Sequence, residues 1–98
     1  MTTAGPSTSG VPVLERAWDL HPSVSVRPES FGALLYHFGT RRLSFLKDRR
    51  LLDVVQLLPA AASARQACLD AGIAADELPR YARALTTLVD TDMLRERP

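Results

Sequence analysis

The side chains able to do covalent or metal chemistry are few and scattered. Cys68 is the sole cysteine, and the histidines are His21 and His37. A catalytic thiol needs a neighbouring base or cation to lower its pKa. Cys68 sits between Ala67 and Leu69 in an apolar helical pattern with no such constellation, and reads as a small buried hydrophobe. His21 precedes Pro22 in a loop. His37 falls opposite the apolar stripe of an alternating segment and reads as an exposed strand histidine. Two histidines and one cysteine at no ligand spacing make no metal site. The five glycines are scattered and none opens a helix, so no phosphate-cradling loop is present. No Ser-His-Asp order and no paired carboxylates stand out. The sequence predicts no catalytic residue, no metal and no cofactor.

What remains is electrostatic and main-chain chemistry. Residues 41–50 hold Arg41, Arg42, Lys47, Arg49 and Arg50 against Asp48 alone, a local net of +4 in a chain whose whole net is +1. The remainder therefore sums to −3. This cluster begins on the second arm of a β-hairpin, Phe31 to Lys47, FGALLYHFGTRRLSFLK. Two alternating runs flank Gly39-Thr40, which is predicted to be a two-residue turn. With that turn Phe38 faces Arg41, Tyr36 faces Leu43, and Leu34 faces Phe45. The register puts Leu34, Tyr36, Phe38, Leu43 and Phe45 on one face, predicted to be buried against helices. The other face carries His37, Arg42 and Ser44, with Leu35 and Leu46 mixed in.

Nothing later in the chain reads as a strand of comparable strength. The arm Arg41–Lys47 is therefore predicted to lie at a sheet edge with unpaired backbone groups, which is either an aggregation liability or a docking site. Its cations either blunt that edge or steer an acidic guest toward it. The same edge offers a route to weak self-association.

The elements around the hairpin follow from composition and periodicity. Residues 1–10 are rich in Thr, Ser, Gly and Pro, and residues 1–13 are predicted to be a flexible tail preceding one domain over 14–95. Trp18, the only tryptophan, is expected to pack as an anchor. Val24 to Arg27 alternates and ends at Pro28, a short first strand. Asp48 caps RRLLDVVQLL, where Leu51, Leu52, Val54, Val55 and Leu58 mark an amphipathic helix stopped by Pro59. Ser63 and Gln66 match a capping box for a second helix, with Cys68, Leu69 and Ala71 inward and Gly72 ending it. A third helix starts at Asp76 or Glu77 and buries Leu78, Tyr81, Ala82, Leu85, Leu88 and Val89. Arg80, Arg83, Ala84 and Thr87 lie on its adjacent faces, where small Ala84 and Thr87 leave room and Arg83 reaches acidic groups. Met93 and Leu94 close the ordered part, and the last residues are expected to fray.

The resulting order is β-β-β-α-α-α. It predicts an α+β fold in which a small three-stranded antiparallel sheet is followed by three helices, similar to winged helix-turn-helix domains. The 98 residues, 46% apolar and 23% charged, are ordinary for one small soluble domain. The N-terminus lacks the basic start and apolar run of a signal peptide, and no segment approaches the roughly 20 apolar residues of a membrane span. One unpaired thiol fits a reducing compartment, so a cytoplasmic location without a membrane partner is expected.

Ser25 to Val55, SVRPESFGALLYHFGTRRLSFLKDRRLLDVV, and Leu78 to Leu94, LPRYARALTTLVDTDML, resemble the PqqD-like peptide chaperones, also called recognition elements of ribosomally made, post-translationally modified peptides. The string FGALLYHFGTRRLSFL is the most specific part, and the likeness is greatest to members serving mycofactocin biosynthesis. The resemblance implies a non-catalytic protein that binds the leader of a precursor peptide. The leader would add as a strand along Arg41, Arg42, Leu43, Ser44, Phe45, Leu46 and Lys47. It would lie in a groove against the third helix, bordered by Arg80, Arg83, Ala84 and Thr87. The resemblance also implies a partner, a radical S-adenosylmethionine maturase that receives the peptide. The short turn followed by two arginines departs from the wider family, so side-chain contacts do not transfer. A competing reading is a winged-helix DNA-binding regulator, which needs a basic recognition helix. Residues 76–98 hold four arginines against five acids, so nucleic acid is not expected as a partner.

Overall fold

Strand and helix formation follow the local signals closely. A computed structural model describes residues 11–97. The chain runs α1 (Val11–Glu15), β1 (Trp18–Leu20), β2 (Val24–Glu29), β3 (Gly32–His37), β4 (Leu43–Leu46), α2 (Arg49–Leu57), α3 (Ala64–Asp70), α4 (Leu78–Asp90) and β5 (Leu94–Glu96). Short 3₁₀ turns at Leu58–Ala60 and Ala75–Glu77 precede α3 and α4. The three main strands form an antiparallel sheet in the order β2-β3-β4, followed by the three helices α2 to α4, so the fold is α+β as expected. The Asp48 side chain accepts the Arg50 N–H at 2.8 Å, and Ser63 Oγ accepts the Gln66 N–H at 3.1 Å. Each such cap contributes about 1 kcal/mol. The return half of the expected capping box is absent, because the Gln66 amide donates forward to Asp70 at 2.9 Å. Gly72, at φ 87, ends α3, and the Ile73 N–H closes back on the Cys68 carbonyl at 3.0 Å.

Three short elements were not anticipated. α1, β1 and β5 are three to five residues long, too short to display a period. β1 and β5 form a second, two-stranded antiparallel sheet that joins the two ends of the domain, pairing Trp18 with Glu96 and Leu20 with Leu94. Of the last residues, expected to fray, Arg95 to Arg97 are thereby held, and Pro98 lies outside the described residues. The Arg97 N–H donates to the Ala17 carbonyl at 2.9 Å, and its guanidinium donates to the carbonyls of Pro59 and Ala61. Trp18 is buried as expected, its indole N–H donating to the Val13 carbonyl at 2.9 Å. Val13 itself is buried and α1 starts at Val11, within the segment expected to be a tail, whose residues 1–10 lie outside the described residues.

The hairpin has the expected register but the opposite orientation. Leu34 pairs with Phe45 and Tyr36 with Leu43. The turn is longer than two residues. The His37 N–H donates to the Arg42 carbonyl at 3.0 Å, leaving Phe38 to Arg41 as a four-residue loop with Arg41 at φ 64. The faces are exchanged relative to expectation. Ala33, Leu35, His37 and Leu46 are at most 3% exposed, whereas Phe38, Leu43 and Phe45 are 54–63% exposed. Both faces are apolar, so parity alone does not choose between them. The inward face alternates small Ala33 and Ser44 with Leu35 and Leu46, which lets α2, carrying buried Val54 and Val55, approach β3 closely.

The rest of the core agrees with the helical stripes. Leu51, Leu52, Val54, Val55, Leu58, Leu78, Tyr81, Ala82, Leu85 and Leu88 are buried, and Val89 packs at the margin. Cys68 is fully buried, but Leu69, expected inward, is exposed because the seven-residue α3 presents only a narrow stripe of Ala64, Ala67 and Cys68.

Candidate functional site

β4 is an edge strand, and its backbone has a definite polarity. In an antiparallel ladder, opposed residues alternate between exchanging hydrogen bonds and pointing those groups away. The His37–Arg42 bond sets the phase. Leu35–Ser44 and Ala33–Leu46 then bond across the ladder, and Leu43 and Phe45 turn their N–H and C=O outward. The Leu46 carbonyl lies close against Gly32, consistent with that phase. The outward groups of Leu43 and Phe45 meet no hydrogen-bond partner among the described residues. The opposite edge, β2, contains Pro28, which has no N–H to offer.

A groove separates β4 from α4. Its larger part, about 300 Å³, is lined by Ser44, Phe45, Leu46, Leu51, Ala84, Thr87 and Leu88. A second part, about 240 Å³, shares Leu51 and Ala84 and adds Lys47, Asp48, Arg80 and Tyr81. Seven of the residues singled out from sequence thus come together here: Ser44, Phe45, Leu46, Lys47, Arg80, Ala84 and Thr87. Arg41 lies in the loop, Arg42 and Leu43 begin the strand side without lining the groove, and Arg83 is exposed on α4 outside it. Leu51, Leu88 and Tyr81 were legible as core residues, but their second role as groove floor depends on where α2 and α4 meet. Asp48 was legible only as a helix cap.

The Lys47 end of the groove is an ionic knot. The Tyr81 hydroxyl donates to the Asp48 carboxylate. Arg50 holds Glu77 through two bonds of 3.1 and 2.9 Å, and Arg80 reaches the same carboxylate at 3.1 Å. Both guanidinium groups also lie over the Tyr81 ring, at 5.7 Å for Arg50 and 5.1 Å for Arg80. Burial pushes the Asp48 carboxyl up, but the Tyr81 hydroxyl, the Arg50 and Leu51 amides and the Arg50 charge together hold it below its ordinary value. Glu77 is likewise lowered, chiefly by its hydrogen bond from Arg50. Burial and the Asp48 bond push the Tyr81 phenol up, so it remains a donor. Arg50 and Arg80 are therefore committed to Glu77. Arg41, Arg42, Lys47, Arg49 and Arg83 make no ion pair among the described residues.

His37 departs from its expected exposure. It is buried on the inward face, its Nδ1 accepting the N–H groups of Gly39 and Thr40 at 3.0 and 3.1 Å. The four-residue loop folds around this acceptor, which explains why the turn does not tighten at Gly39-Thr40. The His21 ring lies 4.4 Å away, and the buried His37 Nε2 meets no hydrogen-bond partner among the described residues. Among the described residues no group of three or more His, Cys, Asp or Glu side chains could hold a metal ion, and no helix is long and apolar enough to cross a membrane.

The sequence model of the peptide chaperone MftB family matches residues 17–95. "Peptide chaperone MftB" of Mycobacterium tuberculosis (strain ATCC 25618 / H37Rv) is 54% identical over 80 residues, covering 82% of this chain and 73% of that one. "Peptide chaperone MftB" of Mycolicibacterium smegmatis (strain ATCC 700084 / mc(2)155) is 54% identical over 78 residues, covering 80% and 76% respectively. No solved structure matches the chain. The match takes in the edge strand, the groove and all of α4, and the chain belongs to the peptide chaperone MftB family.

Proposed function

We propose that this protein is a non-catalytic peptide chaperone that receives the leader of a ribosomal precursor peptide as an added strand on β4. The observation that carries this reading is the pair of outward-facing backbone units at Leu43 and Phe45, without partners among the described residues and set beside a groove with an apolar floor. A strand laid there bonds to those N–H and C=O groups, and every second side chain drops toward Leu51, Ala84 and Leu88. Small Ala84 and Thr87 leave room for it. Arg41, Arg42, Lys47 and Arg83 attract acidic side chains at its flanks. The binding residues are then Arg41 to Lys47 with Arg80, Arg83, Ala84 and Thr87, Arg80 acting through its hold on the groove end. The names of the relatives support the peptide as guest. The family resemblance supports the next step, in which the chaperone hands its peptide to a radical S-adenosylmethionine maturase in mycofactocin biosynthesis, and the lone thiol Cys68 favours the cytoplasm as the place.

Strand addition is tested by titrating the precursor peptide against Leu43→Pro and Leu43→Ala. Both lose the leucine side chain, but only proline removes an outward N–H. Leu43→Pro is expected to bind about three- to tenfold more weakly than Leu43→Ala, the worth of about one hydrogen bond. Equal affinities for the two variants would overturn strand addition. Ser44→Pro is a poorer probe, since its N–H points into the ladder toward Leu35.

A further inference from the structure

The sheet has a second surface that peptide binding in the groove leaves open. Opposite α2 and α4, the outward face presents Leu34, Tyr36, Phe38, Leu43 and Phe45, joined at the β2–β3 turn by Phe31. Tyr36 and Phe38 meet edge to face at 4.9 Å, and Phe31 and Phe45 lie 6.3 Å apart. Four of the six large hydrophobic residues exposed among the described residues belong to this one face. Clustered exposed aromatics mark interaction surfaces, and aromatic side chains dominate interface hot spots. The border of the patch is positive. Arg41 in the loop and Lys47 beyond β4 are unpaired among the described residues, and carry that charge; the exposed Arg27 is paired with Glu29 at 2.9 Å and adds none to it.

We propose that this face docks a second protein whose own apolar surface is edged by carboxylates. On the reading of the groove given above, on which this inference rests, that protein is the enzyme that modifies the peptide. Charge selects against the alternative of a second copy, because two such faces brought together would set like cations around one desolvated patch. The geometry also suits handover. Phe45 belongs both to the outward face and to the groove lining, so an enzyme seated on the aromatic patch touches the edge where the added strand lies.

The test uses the full chain, the precursor peptide and the cognate radical S-adenosylmethionine enzyme, each purified. Phe38→Ser changes the face at a residue outside the groove, and Arg27→Glu replaces the cation of the exposed Arg27–Glu29 pair with a second carboxylate, so the border turns negative there; urea unfolding checks that both variants remain folded. Both variants are expected to bind the labelled peptide within twofold of wild type while losing at least tenfold in affinity for the enzyme, Arg27→Glu most at low salt. Unchanged enzyme affinity in both variants overturns the proposal. So does a wild-type dimer in sedimentation that Phe38→Ser dissociates, since the face would then belong to a second copy. An equal loss of peptide and enzyme binding overturns it as well, by assigning the face to the peptide. Failure of the wild type to bind peptide sinks the groove reading instead, while its enzyme affinity and the variants' effect on it still decide the face.

Discussion

Gly32 shows how much of this domain hangs on single positions. It adopts φ 149, and a Cβ built there would stand 1.9 Å from the Leu46 carbonyl oxygen on the neighbouring strand. The contact is backbone against backbone, so nothing flexible can yield. Gly32→Ala is expected to cost about 2–6 kcal/mol from backbone strain and overpacking together, read by urea unfolding. A variant within about 0.5 kcal/mol of wild type, the range of an ordinary surface change, would show that the β3–β4 contact relaxes freely. His37 makes the complementary point. Its sequence neighbours suggest a solvent-facing strand residue, yet its ring is enclosed and accepts two loop amides. An acceptor can satisfy a turn only where the chain folds over it, and one-dimensional alternation does not report that.

The elements differ in what fastens them. Among the edge strands, β2 is blunted by Pro28 and by the Arg27–Glu29 pair, whereas β4 keeps two outward backbone units beside a groove. α2 and α4 are tied at the groove end by Tyr81 to Asp48 and by Arg50 to Glu77. Both carboxyls are held below their ordinary values of 3.8 and 4.5. A lowered folded-state pKa contributes stability that is complete above the unfolded value and is lost as the pH falls through the folded one. Thermal or urea unfolding should therefore show wild-type stability level above about pH 5 and falling as the solution is acidified below it. Tyr81→Phe keeps the ring and removes the hydroxyl donor, so its stability should decline less steeply across the same acid range. Curves of equal slope would mean that the hydroxyl does not hold the Asp48 carboxylate.

At the scale of the whole molecule, charge is unevenly spread. The five cations of residues 41–50 are reduced by one when Arg50 pairs with Glu77, and Arg41, Arg42, Lys47 and Arg49 remain without ion pairs among the described residues. For an acidic leader, the association rate should fall by about tenfold between roughly 50 and 500 mM salt while the dissociation rate changes little, measured by stopped flow. A salt-independent association rate would leave those cations a solubility role only.

Much of this was legible in order. The caps at Asp48 and Ser63, the stop at Gly72, the stripe of α4 and the Tyr36–Leu43 register are local or periodic signals, and the α+β layout follows from them. Seven groove residues were also legible, Ser44 to Lys47 as an edge strand and Arg80, Ala84 and Thr87 as a row at helical spacing on α4. Three things were not. The β1–β5 pair joins segments of three residues from opposite ends of the chain, where only the closed fold supplies a partner. The convergence of Leu51, Tyr81 and Leu88 on the groove floor depends on how α2 and α4 cross. The choice of buried face on the hairpin depends on which set of side chains lets a helix approach. The sequence by itself determined the types of the longer elements, the hairpin register and an edge strand flanked by cations. Tertiary packing alone decided that the aromatic face looks outward, because two apolar faces compete and close packing favours the one with the smaller side chains.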